Sequence, residues 1–197
     1  MKNIDNLEEK LILKRAQAGE KEAFSEIYDF YVVKIFRFIY LKTNSKEVAE
    51  DLTSETFLKC WRYIKKQKKE EKNDESIRKG NLGSFLYKIA RNLIIDFYRK
   101  KKEISLDMTE RENENIIDDR QDILAEINKK QEIQVLRKCL DTLKDDYQEI
   151  LILRYVEDLS MSEIAEITGK SDGSIRVLIH RATKLLEKVM KRNKETE

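Results

Sequence analysis

The side chains of this sequence that are arranged for chemistry are arranged for binding, not for making bonds. Between Ser171 and Lys184, the serines Ser171 and Ser174, the cations Arg176, Arg181 and Lys184, the imidazole of His180 and the aliphatic Val177 fall where a helix turns them outward or onto its flank. Hydrogen-bonding and basic groups near the start of a helix suit the major groove of duplex DNA. Sets for covalent chemistry are absent from the sequence. One histidine and two distant cysteines, Cys60 and Cys139, cannot assemble a cluster of soft metal ligands. No Ser/His or His/Cys/Asp arrangement marks a nucleophile. Gly169-Lys170-Ser171 reads superficially as the end of a phosphate loop, but that motif needs a glycine at 164, where Ile164 stands, and a preceding strand. No catalytic residue, metal site or cofactor is expected, and the chain is not expected to be an enzyme.

The elements that must hold these groups can be read around them. Ser160 followed by Glu163 has the form of a capping box and starts a short helix. Ile164, Ala165 and Ile167 give that helix a buried side, and Gly169 stands where a helix end needs positive φ. Ser171 then caps a second helix. Along it Ile175, Leu178, Ile179, Ala182, Leu185, Leu186 and Val189 recur at spacings of three and four, a core-facing stripe. Two helices joined by a tight turn make a helix-turn-helix, although a surface helix of a plain bundle produces the same pattern. Upstream, Tyr147 to Val156 and the stripe from Leu124 through Ile127, Val135, Leu136 and Cys139 to Leu140 supply helices to pack beneath it.

The N-terminal half shows the same period. Leu11–Ala18 and Ala23–Leu41 carry apolar helical spacing, Ser45 is placed to cap the next helix, and Val48, Leu52, Phe57, Leu58 and Trp61 mark a stripe from Glu47 to Ile64. Its other face holds Glu50, Asp51, Ser54 and Glu55, an acidic patch that is either solvated or a dock for a basic partner. Leu82–Lys102 directs Phe85, Leu86, Ile89, Leu93, Ile94 and Phe97 inward and leaves Tyr87, Lys88, Arg91, Asn92, Tyr98, Arg99 and Lys100 to Lys102 on the other face. Cations interleaved with aromatics suit single-stranded nucleic acid. Tyrosines lying along a helix surface and a lysine run matched to a helix C-terminus have the same appearance.

Composition sets the class. The 197 residues include no proline, five glycines and 40% charged side chains, which describes helices with solvated faces: an all-α protein of two small cores. The net charge of +2 is unevenly placed. Met1–Lys102 carries 24 basic against 16 acidic residues, Glu103–Asn128 carries 2 against 9, and Lys129–Glu197 carries 14 against 13. The resulting +8, −7 and +1 point to an anionic partner for the first body. We therefore expect a domain over 8–102, an acidic linker over 103–121 and a second domain over 122–191, with Lys65–Asn81 as a long polar loop. Cys60 and Cys139 sit on apolar stripes and are expected to be buried thiols. No signal core or membrane-spanning run is seen, so a cytoplasmic protein without membrane insertion is expected.

Taken together the segments resemble the bacterial sigma factors, and among them the extracytoplasmic-function group, which keeps only the second and fourth sigma regions. The resemblance rests on AEDLTSETFLKCWRYI (Ala49–Ile64), FLYKIARNLIIDFYRKKK (Phe85–Lys102), ISLDM (Ile104–Met108) and YQEILILRYVEDLSMSEIAEITGKSDGSIRVLIHRATKLL (Tyr147–Leu186), in the family's order. It implies a promoter-specificity subunit that binds core RNA polymerase and promoter DNA and is restrained by an anti-sigma factor. It implies that Asp51, Ser54, Glu55 and Leu58 dock on polymerase, that Tyr87, Lys88, Arg91, Asn92, Arg99 and Lys100 hold the unpaired minus-ten strand, and that Ser171, Ser174, Arg176, Val177, His180, Arg181 and Lys184 meet the minus-thirty-five element. The acidic linker would then run through a basic polymerase channel. The chain departs from the family pattern at Ser54, where Gln is usual, at Phe85 for Trp, at Lys144-Asp145 for prolines and at Lys170 for an apolar residue. Val177-Leu178 stands where Ser-Arg is frequent. The competing function is a helix-turn-helix regulator that binds duplex DNA as a dimer without polymerase.

Overall fold

A computed structural model describes residues 6–67, 81–107 and 138–195. Its described elements are all helical: α1 (Asn6–Ala18), α2 (Lys21–Thr43), α3 (Lys46–Gln67), α4 (Leu82–Asp107), α5 (Asp145–Leu151), α6 (Met161–Thr168) and α7 (Asp172–Glu195), with a π-helical turn at Ile152–Val156 after α5. The all-α expectation holds. The chain divides into two compact units, the first chiefly over Met1–Thr109 and the second chiefly over 110–197. Glu166–Gly169 closes the helix that Met161 begins.

In the first unit α2 packs on α1, α3 and α4. Its inward positions Ala23, Ile27, Ile35, Phe38 and Ile39 are almost wholly buried, as are Ala49, Phe57, Cys60 and Ile64 of α3. Burial of this apolar surface, not helix propensity, holds helices of this length together. The breaks fall where the chain can turn. Asn44 takes φ 56 and donates its amide to the Tyr40 carbonyl, ending α2 in the left-handed conformation that asparagine tolerates. The Ser45 hydroxyl then accepts the Val48 amide at 3.3 Å, the cap expected from sequence.

The second unit buries Leu140, Leu143, Ile150, Leu151, Leu153, Ile164, Ile175 and Ile179. Between α5 and α6 the chain widens into the π turn, with the Glu157 amide donating to the Ile152 carbonyl at 3.0 Å. Asp158 follows at φ 54, and Arg154 Nη1 donates to the Leu159 carbonyl at 2.8 Å, which fixes the approach to α6.

Three expectations need correction. Helix α4 continues to Asp107, so Glu103–Asp107 belongs to a helix and not to a linker. The stripe of α7 is buried only as far as Ala182: Leu186 and Val189 are half-buried and Leu185 is 37% exposed. Beyond Ala182 the burial of the stripe declines. The first helix begins at Asn6 and α3 runs to Gln67, slightly outside the expected limits. The rest of the acidic linker, the remainder of the Lys65–Asn81 loop and the stripe from Leu124 to Leu136 lie outside the described residues. No described helix is long and apolar enough to cross a membrane.

Candidate nucleic-acid interface

The face on α7 is built from its first turn outward. At α6 the Ser160 amide donates to Glu163 Oε2 at 2.8 Å while the Glu163 amide donates to Ser160 Oγ at 3.3 Å. This reciprocal pair is the expected capping box. Gly169 leaves α6 at φ 70, a conformation that costs a side chain strain. Lys170 reaches Asp146 at 3.4 Å and ties the turn to the start of α5. The Ser174 amide then donates to Ser171 Oγ at 3.3 Å, and the two hydroxyls face each other at 2.9 Å. Ser171 thus serves as cap and as surface group, and Ser174 as its capped partner on the same surface.

Ser171, Ser174, Arg176, Val177, His180, Arg181 and Lys184 are all exposed, as the sequence predicts. With Ile175, Ile179 and Ala182 buried on the opposite side, α7 is a rigid mount for a polar and cationic face. Gly173 drew no notice from sequence alone. It lies within the first turn of α7, and a Cβ placed there would meet nothing within 4 Å.

In the first unit, α4 is held at its N-terminus by a contact that the helical period could not show. Glu9 Oε1 accepts the Tyr31 hydroxyl at 2.9 Å and the Gly83 amide at 2.8 Å, while Asn81 Oδ1 accepts the Ser84 amide at 3.0 Å. A carboxylate and an amide oxygen so placed satisfy orphan donors at the positive end of the helix. Asn81, three residues before Ser84, was a legible cap signal. Farther along, the Tyr98 hydroxyl donates to the Lys42 carbonyl at 2.8 Å and fastens α4 to the end of α2.

On the outer face of α4, Asn92, Arg99 and Lys100 are exposed and Lys88 and Arg91 half-buried. Arg99 pairs with Asp96 at 3.0 Å. Ile95, passed over in the sequence, is 45% exposed between Asn92 and Arg99. Tyr87 contradicts expectation: it is 1% exposed, and its ring meets Phe38 edge-on at 5.4 Å. It is core and does not lie on the outer face of α4. The reason is that Leu82 to Tyr87 are buried all round, because this end of α4 enters among α1, α2 and α3, where a one-sided stripe does not apply.

On α3, Asp51, Ser54, Glu55 and Leu58 share one exposed face, with Leu58 46% exposed at its apolar end. Ser54 Oγ bonds back to the Glu50 carbonyl at 3.0 Å, and Lys59 approaches Glu55 at 3.1 Å. An exposed pair of this kind contributes little to the fold and is readily exchanged for a partner's charge.

The chain matches known families over most of its length. The family description "Sigma-70 region 2" matches residues 27–104 and "Sigma-70, region 4" matches residues 133–186. It is 33% identical to the ECF RNA polymerase sigma factor BldN of Streptomyces coelicolor over 91% of this chain, although it spans only 64% of that protein's length. It is 30% identical to the ECF RNA polymerase sigma factor SigW of Bacillus subtilis, over 91% of this chain and 95% of that one. Among solved structures, it resembles the sigma factor RpoE of Bartonella quintana, solved with the anti-sigma factor NepR. The TM-score is 0.62 and the identity 23%, covering 85% of this chain and 96% of that one, a similarity of fold.

Proposed function

Since the chain belongs to the sigma-70 family of RNA polymerase sigma factors, in its extracytoplasmic-function group, we propose that it is a dissociable initiation factor of the cytoplasm that gives core RNA polymerase its promoter preference. The observation that carries this reading is the division of labour between two separate units. One exposes an acidic and apolar face on α3 together with a cationic face on α4; the other exposes Arg176, His180 and Arg181 on a capped helix.

In this reading α7 enters the major groove of the minus-thirty-five element, where cations contact phosphates and arginines read guanine edges. Lys88, Arg91, Asn92, Arg99 and Lys100 track the unpaired minus-ten strand. Asp51, Ser54, Glu55 and Leu58 dock on polymerase. Strand opening needs no covalent step, since unstacked bases are trapped by binding energy. An anti-sigma factor that covers these faces is the expected means of restraint.

Co-purification with core polymerase tests the reading. The chain should be retained, and Leu58→Asp should release it without loss of helix content, because Leu58 already faces solvent. Retention of neither protein, together with a tight footprint on a palindrome by the chain alone, would favour a polymerase-independent regulator.

A further inference from the structure

Val177 is the apolar member of a polar face. It is 48% exposed among Ser174, Arg176, His180 and Arg181, all exposed as well. A helical side chain leans toward the N-terminus, so Val177 is directed toward the turn that carries Gly173 and Ser174, both exposed. Gly173 has no side chain, and the space its Cβ would occupy is open. Neither a positive φ nor a packing clash requires glycine there, and the helix is less stable for having it. A glycine that the fold does not need, on a face that meets a ligand, serves close approach.

We propose that Val177, exposed one turn after the open backbone surface at Gly173, is a thymine-specificity residue that packs on the 5-methyl group of one thymine in the upstream promoter element. The inference rests on the reading of α7 as the minus-thirty-five helix. Among the bases, thymine alone presents a methyl group in the major groove. The arginines and His180 offer it nothing, whereas the two methyls of Val177 remove it from water. Cytosine at the same place would set its exocyclic amine against Val177 without an acceptor.

The test uses the full chain with core RNA polymerase and duplexes selected from a pool randomised over the upstream element. The selected sites should fix a thymine. Replacing it with deoxyuridine removes the methyl and leaves every hydrogen bond, and should weaken binding about four-fold, equivalent to the ~0.8 kcal/mol of one buried methylene-sized group. With Val177→Ser the same replacement should change binding by less than about 1.5-fold, a small fraction of that group. Gly173→Ala should raise the thermal midpoint of the free chain and yet weaken binding to the selected duplex. If Arg176→Ala loses selectivity while deoxyuridine is tolerated at every selected thymine, or no thymine is fixed, α7 reads the element but Val177 does not read a methyl. If Arg176→Ala and Val177→Ser both select the wild-type sites, the helix does not read the element and both readings fall.

Discussion

Arg176 and Lys184 are both exposed cations on α7, and removing them should have different consequences. Arg176 lies just beyond one turn from the Ser171 cap, at the end of the helix that would enter the groove in the proposed reading, and a base-reading arginine contributes ~1–3 kcal/mol to discrimination at one position. Arg176→Ala should therefore lower and broaden promoter preference, while Lys184→Ala should weaken binding evenly and flatten its salt dependence. Binding profiles across a promoter library distinguish the two, and identical profiles would remove Arg176 from the reading face. Cys60 provides a separate check on the core. Burial pushes its thiol up to about 12, so at pH 8 it stays protonated and is not nucleophilic. Titration with a disulfide reagent should find Cys60 unreactive in the folded chain and reactive in denaturant.

At the scale of the elements, two helix ends make opposite predictions from the same residue type. Gly169 closes α6 at φ 70 with open space around it, so Gly169→Ala costs the backbone conformation alone, about 1–2 kcal/mol, and Gly169→Asn costs less. Gly173, in an ordinary helical turn, gains stability from the same change. At α4, Glu9→Ala removes the acceptor shared by Tyr31 and Gly83 and should destabilise the first unit by ~1.5–3 kcal/mol, with Glu9→Gln milder because an oxygen remains. Urea unfolding of each variant measures these differences. The caps at Ser45, Ser160 and Ser171 and the exposed set on α7 were legible because they depend on neighbours within a turn. Glu9 on Gly83 was not, since 74 residues separate them and no local pattern announces the contact. Tyr87 was misplaced for a related reason: the period of a stripe assumes one covered side, and the start of α4 is covered on several. The lapse of burial after Ala182 likewise depends on tertiary packing, which the stripe of α7 does not record.

For the whole molecule, the charge ledger implies that neither unit suffices alone. The C-terminal segment is near neutral at +1 and the N-terminal segment carries +8, so in the proposed reading the C-terminal unit as a whole would attract duplex DNA only weakly, while the α4 face would await a strand that duplex DNA does not present. Each phosphate contact adds a salt-dependent increment, and a handful cannot give tight binding at physiological salt. Docking of α3 on polymerase would hold both faces at promoter spacing and turn two weak affinities into one strong one. The free chain should thus bind promoter duplex weakly and with little specificity. Permanganate reactivity of the minus-ten thymines, measured with and without core RNA polymerase, tests this most directly. Reactive thymines only when chain and polymerase are both present are the predicted result. Thymines that stay unreactive with polymerase present, alongside a tight and specific footprint by the chain alone, would contradict it.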